Sequence, residues 1–368
     1  MAATSHIEWT DATWNPVTGC SVVSPGCSHC YAMKLAGTRL QHHPSRAGLT
    51  TPSKAGPVWN GHVRFNEAWL RQPLTWKAPK RIFVCAHGDL FHESVPDAWI
   101  DQVFAVMALA PQHTFQVLTK RAQRMRDYVG PPSSRMVQRL SDGLGAAVIE
   151  LGYRGPLEAL AWPLPNVWLG VSVEDQPRLQ ERVPHLLATP AAIRFVSAEP
   201  ALATMDFTDA ARWRELDTVY RRDALSGVLF EKPASLGDFQ KRKGTLSAWT
   251  VADCGLPKLD LIILGGESGP GARPMHPDWV RQIRDACAAA DVAFFFKQWG
   301  DWEPREEWSG HQGGGRFETM RAIMPCGREC PDDVAPQDVG AQRMALVGKK
   351  AAGRLLDGRS HDAMPEAH

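Results

Sequence analysis

Six stretches of the chain are apolar at consecutive positions rather than alternate ones: 81–91 (RIFVCAHGDLF), 114–121 (TFQVLTKR), 166–174 (NVWLGVSVE), 193–202 (IRFVSAEPAL), 259–269 (LDLIILGGESG) and 291–300 (DVAFFFKQWG). Runs rich in Val, Ile, Leu and Phe without polar alternation suit strands covered on both faces. Residues 14–20 (WNPVTGC) add a short candidate first strand. Between several strands the spacing turns helical. Residues 95–110 align Ile100, Val103, Phe104 and Met107; 175–189 align Leu179, Val183 and Leu186; 276–290 align Trp279, Val280, Ile283 and Cys287. Strand–helix alternation of this length predicts a parallel sheet, doubly wound or closed as a barrel. No repeat of solenoid period is visible.

Two stretches break the rhythm. Residues 208–257 carry mixed charge with basic clusters (RWR, YRR, QKRKG) and predict an insertion in a crossover. From about residue 306 the chain runs through HQGGGRFE, a loop, and MPCGRECPDD to a predicted closing helix, QDVGAQRMALVGKKAAGRLL. The expected organisation is a body over 1–305, interrupted by the insertion, and a C-terminal extension over 306–368.

Composition narrows the class. With 368 residues, 44% hydrophobic and 22% charged, the chain has ample core for a globular protein. A formal charge of +1 excludes a strongly basic nucleic-acid coat but leaves room for local basic patches. No apolar run approaches membrane-span length, and MAATSHIEWT lacks the basic start and apolar core of a signal peptide. The expectation is a cytoplasmic, reducing location, where clustered cysteines are metal or redox ligands more often than disulfides.

Parallel α/β sheets collect function at the carboxyl ends of their strands. Here those ends are polar: His87, Gly88 and Asp89; Thr119, Lys120 and Arg121; Ser172 and Glu174; Ser197 and Glu199; Glu267 and Ser268; Lys297 and Gln298. Any one alone is explained as a helix cap or wetted strand end. Six together predict a polar cavity.

Residues 19–32 (GCSVVSPGCSHCYA) put Cys20, Cys27 and Cys30 within eleven positions, spaced C-x6-C-x2-C, on a loop that opens the helix YAMKLAGTRL. Thiolates gain from a helix N-terminal dipole. A closed structural zinc needs four ligands, and His29 completes a Cys3His set. A cubic iron–sulfur cluster held by three cysteines leaves one iron open to a small molecule. The spacing leaves both readings open.

A three-cysteine loop after the first strand, followed by β/α units with polar strand ends, resembles the radical S-adenosylmethionine superfamily. The resemblance implies an α/β fold, a partial TIM-like (β/α)6 barrel of parallel strands, here with an insertion and a C-terminal extension. It implies a [4Fe–4S] cluster on Cys20, Cys27 and Cys30. Its open iron would chelate S-adenosylmethionine, whose reductive cleavage gives a 5′-deoxyadenosyl radical. The first spacing is six residues where that superfamily commonly has three. Its Gly-Gly-Glu motif follows the second strand, whereas Gly265, Gly266 and Glu267 follow the sixth. Gly88 and Asp89 hold the second-strand slot, and Ser172 and Glu174 the fourth-strand slot near a ribose. With Glu199, Gly265, Gly266 and Glu267 they make the cofactor-binding set that strand order implies.

At closer range, residues 7 to about 358 are similar to a phage and prophage family of the gene-product-37/gene-product-68 type. The carrying segments are IEWTDATWNPVTGC…GCSHCYA, VCAHGDLFHE, VLTKR, WLGVSVE, FVSAEP, GGESGPGARP, FFFKQWG and VGKKAAGRLLDG. That resemblance implies a companion "three-Cys-motif partner" protein and a role near DNA modification or repair.

Lys120, Arg121, Arg124, Arg273 and Lys297 are candidate contacts to an anionic substrate such as a nucleotide or nucleic acid, or simply a solvated rim. Cys326 and Cys330 are either two free thiols or an auxiliary metal site. Cys85 and Cys287 fit core positions. GGESGPGARP joins a strand to a helix but lacks the Gly-Lys-Ser/Thr ending of a nucleotide-hydrolysis loop. Two functions therefore compete: a radical enzyme, and a non-catalytic zinc-stabilised nucleic-acid-binding or partner protein.

Overall fold

Each of the six apolar runs supplies one strand of a seven-stranded sheet in the structure, a computed structural model describing residues 5, 7–130, 143–155, 162–216, 218–234, 249–305 and 319–366. The strands are β1 (Ala12–Trp14), β2 (Arg81–Val84), β3 (Thr114–Thr119), β4 (Val167–Val173), β5 (Ile193–Ala198), β6 (Leu261–Gly265) and β7 (Ala293–Gln298). The first strand starts before the WNPVTGC stretch, and Val17–Thr18 instead pairs antiparallel with Arg64–Phe65. Ala12 pairs with Ile82, Ile82 with Phe115, Phe115 with Val167, and Ile263 with Phe295, all in parallel register. Every residue of β4 and β6 is buried, as the unbroken apolar runs require.

Spatial order follows chain order from β1 to β7 without reversal. A doubly wound sheet reverses at a switch point. This sheet has none, so crossovers of one hand lay their helices on the same face. The helices are α1 (Tyr31–Gly37), α2 (Asp97–Ala108), α3 (Ala122–Val129), α4 (Leu144–Glu150), α5 (Gln176–Leu187) and α6 (Pro277–Ala289). The apolar stripes expected on α2, α5 and α6 are their buried faces. Among the described residues no helix is long and apolar enough to cross a membrane.

The chain divides into two compact units, one of Met1–Ser172, Ala188–Phe195 and Glu366–His368, the other of Val173–Leu187 and Val196–Pro365. In the first, Trp9 lies against Phe83 (ring centroids 4.8 Å) and Phe195 (6.2 Å). A smaller apolar cluster of Ala32, Met33, Ala36, Leu49 and Trp59 backs Cys20 and Cys30.

In the second unit the insertion forms a four-stranded antiparallel sheet from Ala211–Glu215, Thr218–Asp223, Val228–Pro233 and Thr250–Asp253. The tail forms a three-stranded sheet in the order Trp302–Arg305, Gln342–Leu346, Met320–Ile323. The closing helix expected over 337–356 is therefore corrected to a 3-10 turn (Pro336–Val339), a strand (Gln342–Leu346) and one helical turn (Lys349–Ala352). Gly340 (φ 64°) and Gly348 (φ 85°) bracket that strand in left-handed conformation, which no continuous helix tolerates. The HQGGGRFE segment lies outside the described residues.

Candidate functional site

The end of β2 is shaped by backbone constraints. Cys85 adopts φ 57°, an uncommon left-handed conformation for a residue with a side chain, and stops the strand. Gly88 then passes so close to the incoming cysteine loop that a Cβ on it would lie 3.0 Å from the Val17 carbonyl oxygen. Gly19 and Gly88 form a parallel bridge there. This fixes the next residue, Asp89, at the strand end.

Asp89 is buried and fully engaged. Its Oδ1 accepts from the Phe91 amide (3.0 Å) and Thr119 Oγ1 (2.7 Å), and its Oδ2 from the Lys120 amide (3.1 Å) and Arg121 Nη1 (3.2 Å). The ends of β2 and β3 are thus fastened by one carboxylate. Arg121, also buried, extends the link to the cysteine loop. Its Nη1 donates to Cys20 Sγ (3.3 Å), its Nη2 to Ser21 Oγ (2.6 Å), and its Nε to Glu93 Oε1 (3.2 Å). Burial alone would lower the Arg121 pKa, but Asp89, Cys20 and Glu93 outweigh it and raise it. The guanidinium is permanently charged. Lys120 Nζ donates to Ser172 Oγ (2.9 Å), linking the end of β3 to that of β4. His92 Nδ1 accepts from the Ser94 amide (3.1 Å), so its Nε2 carries the proton and donates to Ser21 Oγ (3.0 Å).

The cysteines sit at the edge of this polar web, with Cys20 and Cys30 against the apolar cluster behind it. Burial, reinforced by Asp89, pushes the Cys20 thiol up to about 12 despite Arg121. Burial also raises the Cys30 thiol. Cys30 feels the charge of Cys27, and Cys20 that of Cys30. Three thiols linked electrostatically through Cys30, two of them backed by apolar side chains and one beside a guanidinium, fit a thiophilic metal in donor chemistry. They are not drawn into a converged set: among the described residues no group of three or more His, Cys, Asp or Glu forms a metal-holding cluster. A metal would both gather them and displace their protons. His29, the fourth ligand of the zinc reading, is exposed. Tyr31, just after Cys30, donates to the Ala86 carbonyl (2.6 Å) and meets the His87 ring edge-on at 5.8 Å. Burial and Arg46 lower the His87 pKa to about 4, so the imidazole is neutral near pH 7.

Except for Arg124, the remaining expected site residues lie in the second unit, mostly paired with one another. Glu199 accepts from Ser197 Oγ (3.2 Å) and pairs with Lys297 Nζ (3.1 Å). Gly265 abuts it: a Cβ there would fall 2.4 Å from Glu199 Oε1. One on Gly266 would fall 1.9 Å from the Trp299 carbonyl oxygen, so both glycines meet a packing need of the fold. Glu267 is clamped by Arg273 through the backbone amide (2.9 Å), Nε (2.8 Å) and Nη2 (2.6 Å). Glu174 (0% side-chain exposure) is held by Arg182 (2%) at 3.1 Å in an ion pair sealed from solvent. Arg124 binds Val95 O and Asp97 rather than this network. Cys326 is exposed, and Cys330 is buried with its thiol 3.6 Å from the Val334 carbonyl.

Sequence reasoning missed Ser21, Glu93 and Arg182. Ser21 was legible only as a neighbour of Cys20. Arg182 falls on the buried face of α5 beside Val183, and a cation in an apolar stripe signals a buried partner.

The model of the DUF5131 family, described as a protein of unknown function, matches residues 4–365. The chain belongs to that family. No curated protein and no solved structure matches the chain.

Proposed function

We propose that this DUF5131 protein is a radical S-adenosylmethionine-type enzyme built on a partial (β/α) barrel and acting on a nucleotide or nucleic-acid substrate, in phage-related DNA modification or repair. Cys20, Cys27 and Cys30 would hold a [4Fe–4S] cluster, with S-adenosylmethionine at the open iron. When bound, that group supplies an electron from an external reductant to split S-adenosylmethionine into methionine and a 5′-deoxyadenosyl radical. The supporting observation is the Asp89–Arg121–Cys20 chain of contacts, which ties a three-thiol loop to the ends of two parallel strands. Arg121 holds that loop and its charge favours the thiolate of Cys20. Lys120 and Ser172, hydrogen-bonded to each other, supply polar groups at the ends of β3 and β4. The apolar side chains behind Cys20 and Cys30 keep water from the thiols.

Anaerobic purification and reconstitution test the reading. The expected product is a brown protein with about four iron and four sulfide per chain, which cleaves S-adenosylmethionine on reduction. Changing any of the three cysteines to alanine abolishes both colour and cleavage, and His29→Ala spares them. A colourless protein with one tightly held zinc, weakened by His29→Ala, overturns the proposal in favour of a zinc-stabilised binding or partner protein.

A further inference from the structure

The insertion sheet gathers most of its cations on one face. Strands alternate sides at every residue, and the register pairs Arg212 with Arg221 and Arg221 with Phe230, while Trp213 pairs with Tyr220 and Tyr220 with Glu231. Arg212, Arg214, Arg221 and Lys232 therefore share one face, with Asp223 at the turn end of that face, its carboxylate taken up by the Leu225 and Ser226 amides. Glu215, Glu231 and Asp253 lie with Arg222 on the other. On the basic face three cations crowd a single ring. Lys232 Nζ lies 4.7 Å from the Trp249 centroid, the Arg221 guanidinium 5.1 Å and that of Arg212 5.8 Å. Arg221 also lies 4.9 Å over Phe230.

Among the described residues one of the three has a carboxylate partner, Asp209 beside Arg212. Among the described residues Arg221 and Lys232 face none, and Arg221 Nε is buried without any hydrogen-bond acceptor. Folding alone does not reward three like charges gathered on one indole with two left uncompensated. A ligand bearing several negative charges does. Arg212 and Arg214 are exposed and Trp249 is half-exposed, so the face is reachable.

We propose that this face binds single-stranded nucleic acid, its phosphates on Arg212, Arg221 and Lys232 and its bases against the Trp249 and Phe230 rings. Aromatic rings beside cations on an open antiparallel sheet accept unpaired bases, whose faces a duplex hides. The cysteine loop lies in the other unit and takes no part, so this proposal and the radical-enzyme reading stand or fall separately.

Fluorescence anisotropy with a fluorescein-labelled oligothymidylate and the full-length protein tests it, with no metal or S-adenosylmethionine needed. Binding is expected at low salt. It should weaken as salt rises, with a log–log slope of about 2 for three phosphates at roughly 0.7 each, and unlabelled duplex should compete poorly. Arg221→Ala/Lys232→Ala, with an unchanged melting temperature, loses at least about tenfold in affinity at low salt, a factor set by two of the three phosphate contacts. Trp213→Ala on the opposite face and the charge-matched Arg39→Ala/Lys54→Ala bind as wild type. Absence of binding by wild type, equal binding by Arg221→Ala/Lys232→Ala, an equal loss in either control, or tighter binding to duplex overturns the proposal. The slope is measured on wild type alone, so a salt-independent affinity overturns it even if a variant fails to fold.

Discussion

At residue scale the cysteine loop is positioned by backbones in contact and one buried ion pair. Gly19, at φ 97°, precedes Cys20, and a Cβ on it would sit 2.1 Å from the His62 carbonyl oxygen, so no larger residue fits there. Asp89 and Arg121 supply the charge. Both are nearly closed to solvent, and Asp89 takes four hydrogen bonds that no other residue replaces. Removing one partner of such a pair leaves the other charge buried and unmatched, at about 3–5 kcal/mol. Glu93, 62% exposed, still faces Arg121, so the cost of Asp89→Ala should fall near the lower figure, about 3 kcal/mol. Urea unfolding measures it, and Asp89→Ala/Arg121→Met should recover part of the loss, since neither charge then remains buried. A single-variant loss below about 1 kcal/mol, the range of exposed pairs, would refute the structural role given to this pair.

At element scale, α6 carries a titratable cap. His276 Nδ1 accepts from the Asp278 amide (3.1 Å) while Nε2 bonds the Gly340 carbonyl (3.2 Å), which fixes the neutral tautomer with its proton on Nε2. Burial lowers its pKa, and nearby Arg281 acts in the same sense, against the raising effects of the Gly340 carbonyl and Asp278. The unfolded chain, with a pKa near 6.5, then takes up a proton that the folded chain refuses. Stability is full above about pH 6.5 and falls as pH drops through that value towards the lowered folded pKa. His87 and His92, whose pKa values are also lowered, add to the same loss. His276→Asn keeps a capping oxygen without the titration, so its melting temperature should fall less steeply between pH 7 and 5 than wild type. Identical slopes would remove His276 from the effect. His276→Ala should cost about 1 kcal/mol at neutral pH through the lost cap. Elements with one dominant period were legible in the sequence. The strands β2 to β7 and the helices α2, α5 and α6 all came from unbroken or helically spaced apolar runs. The tail was not, because its helical spacing is overruled by two glycines whose left-handed backbone only the folded chain displays.

At the scale of the whole molecule, strand–helix alternation showed a parallel sheet but left a doubly wound order and a barrel order open. The barrel order, implied by the resemblance, put Asp89, Lys120, Arg121 and Ser172 at neighbouring strand ends, and the sheet follows chain order. What the sequence concealed was pairing. Arg121 and Asp89, Lys297 and Glu199, and Arg273 and Glu267 were separate candidates, yet each cation neutralises one of the expected acids, and side-chain partners far apart in sequence carry no local signature. The thiols show the same limit from the other side: their spacing points to a metal, while their arrangement in the protein chain alone is not converged. On the proposed reading a metal would do work on the loop, and that work is measurable. A ligand that binds only the folded state stabilises it by about 2.7 kcal/mol at a hundredfold excess over its dissociation constant. For a unit of 150–250 residues this raises the melting temperature by roughly 5–10 °C. Anaerobic loading with iron and sulfide should produce that rise and protect residues 20–30 from proteolysis, and Cys27→Ser should erase both. Matching melts and matching digestion of loaded and stripped protein would show that the cysteine loop holds no iron–sulfur cluster.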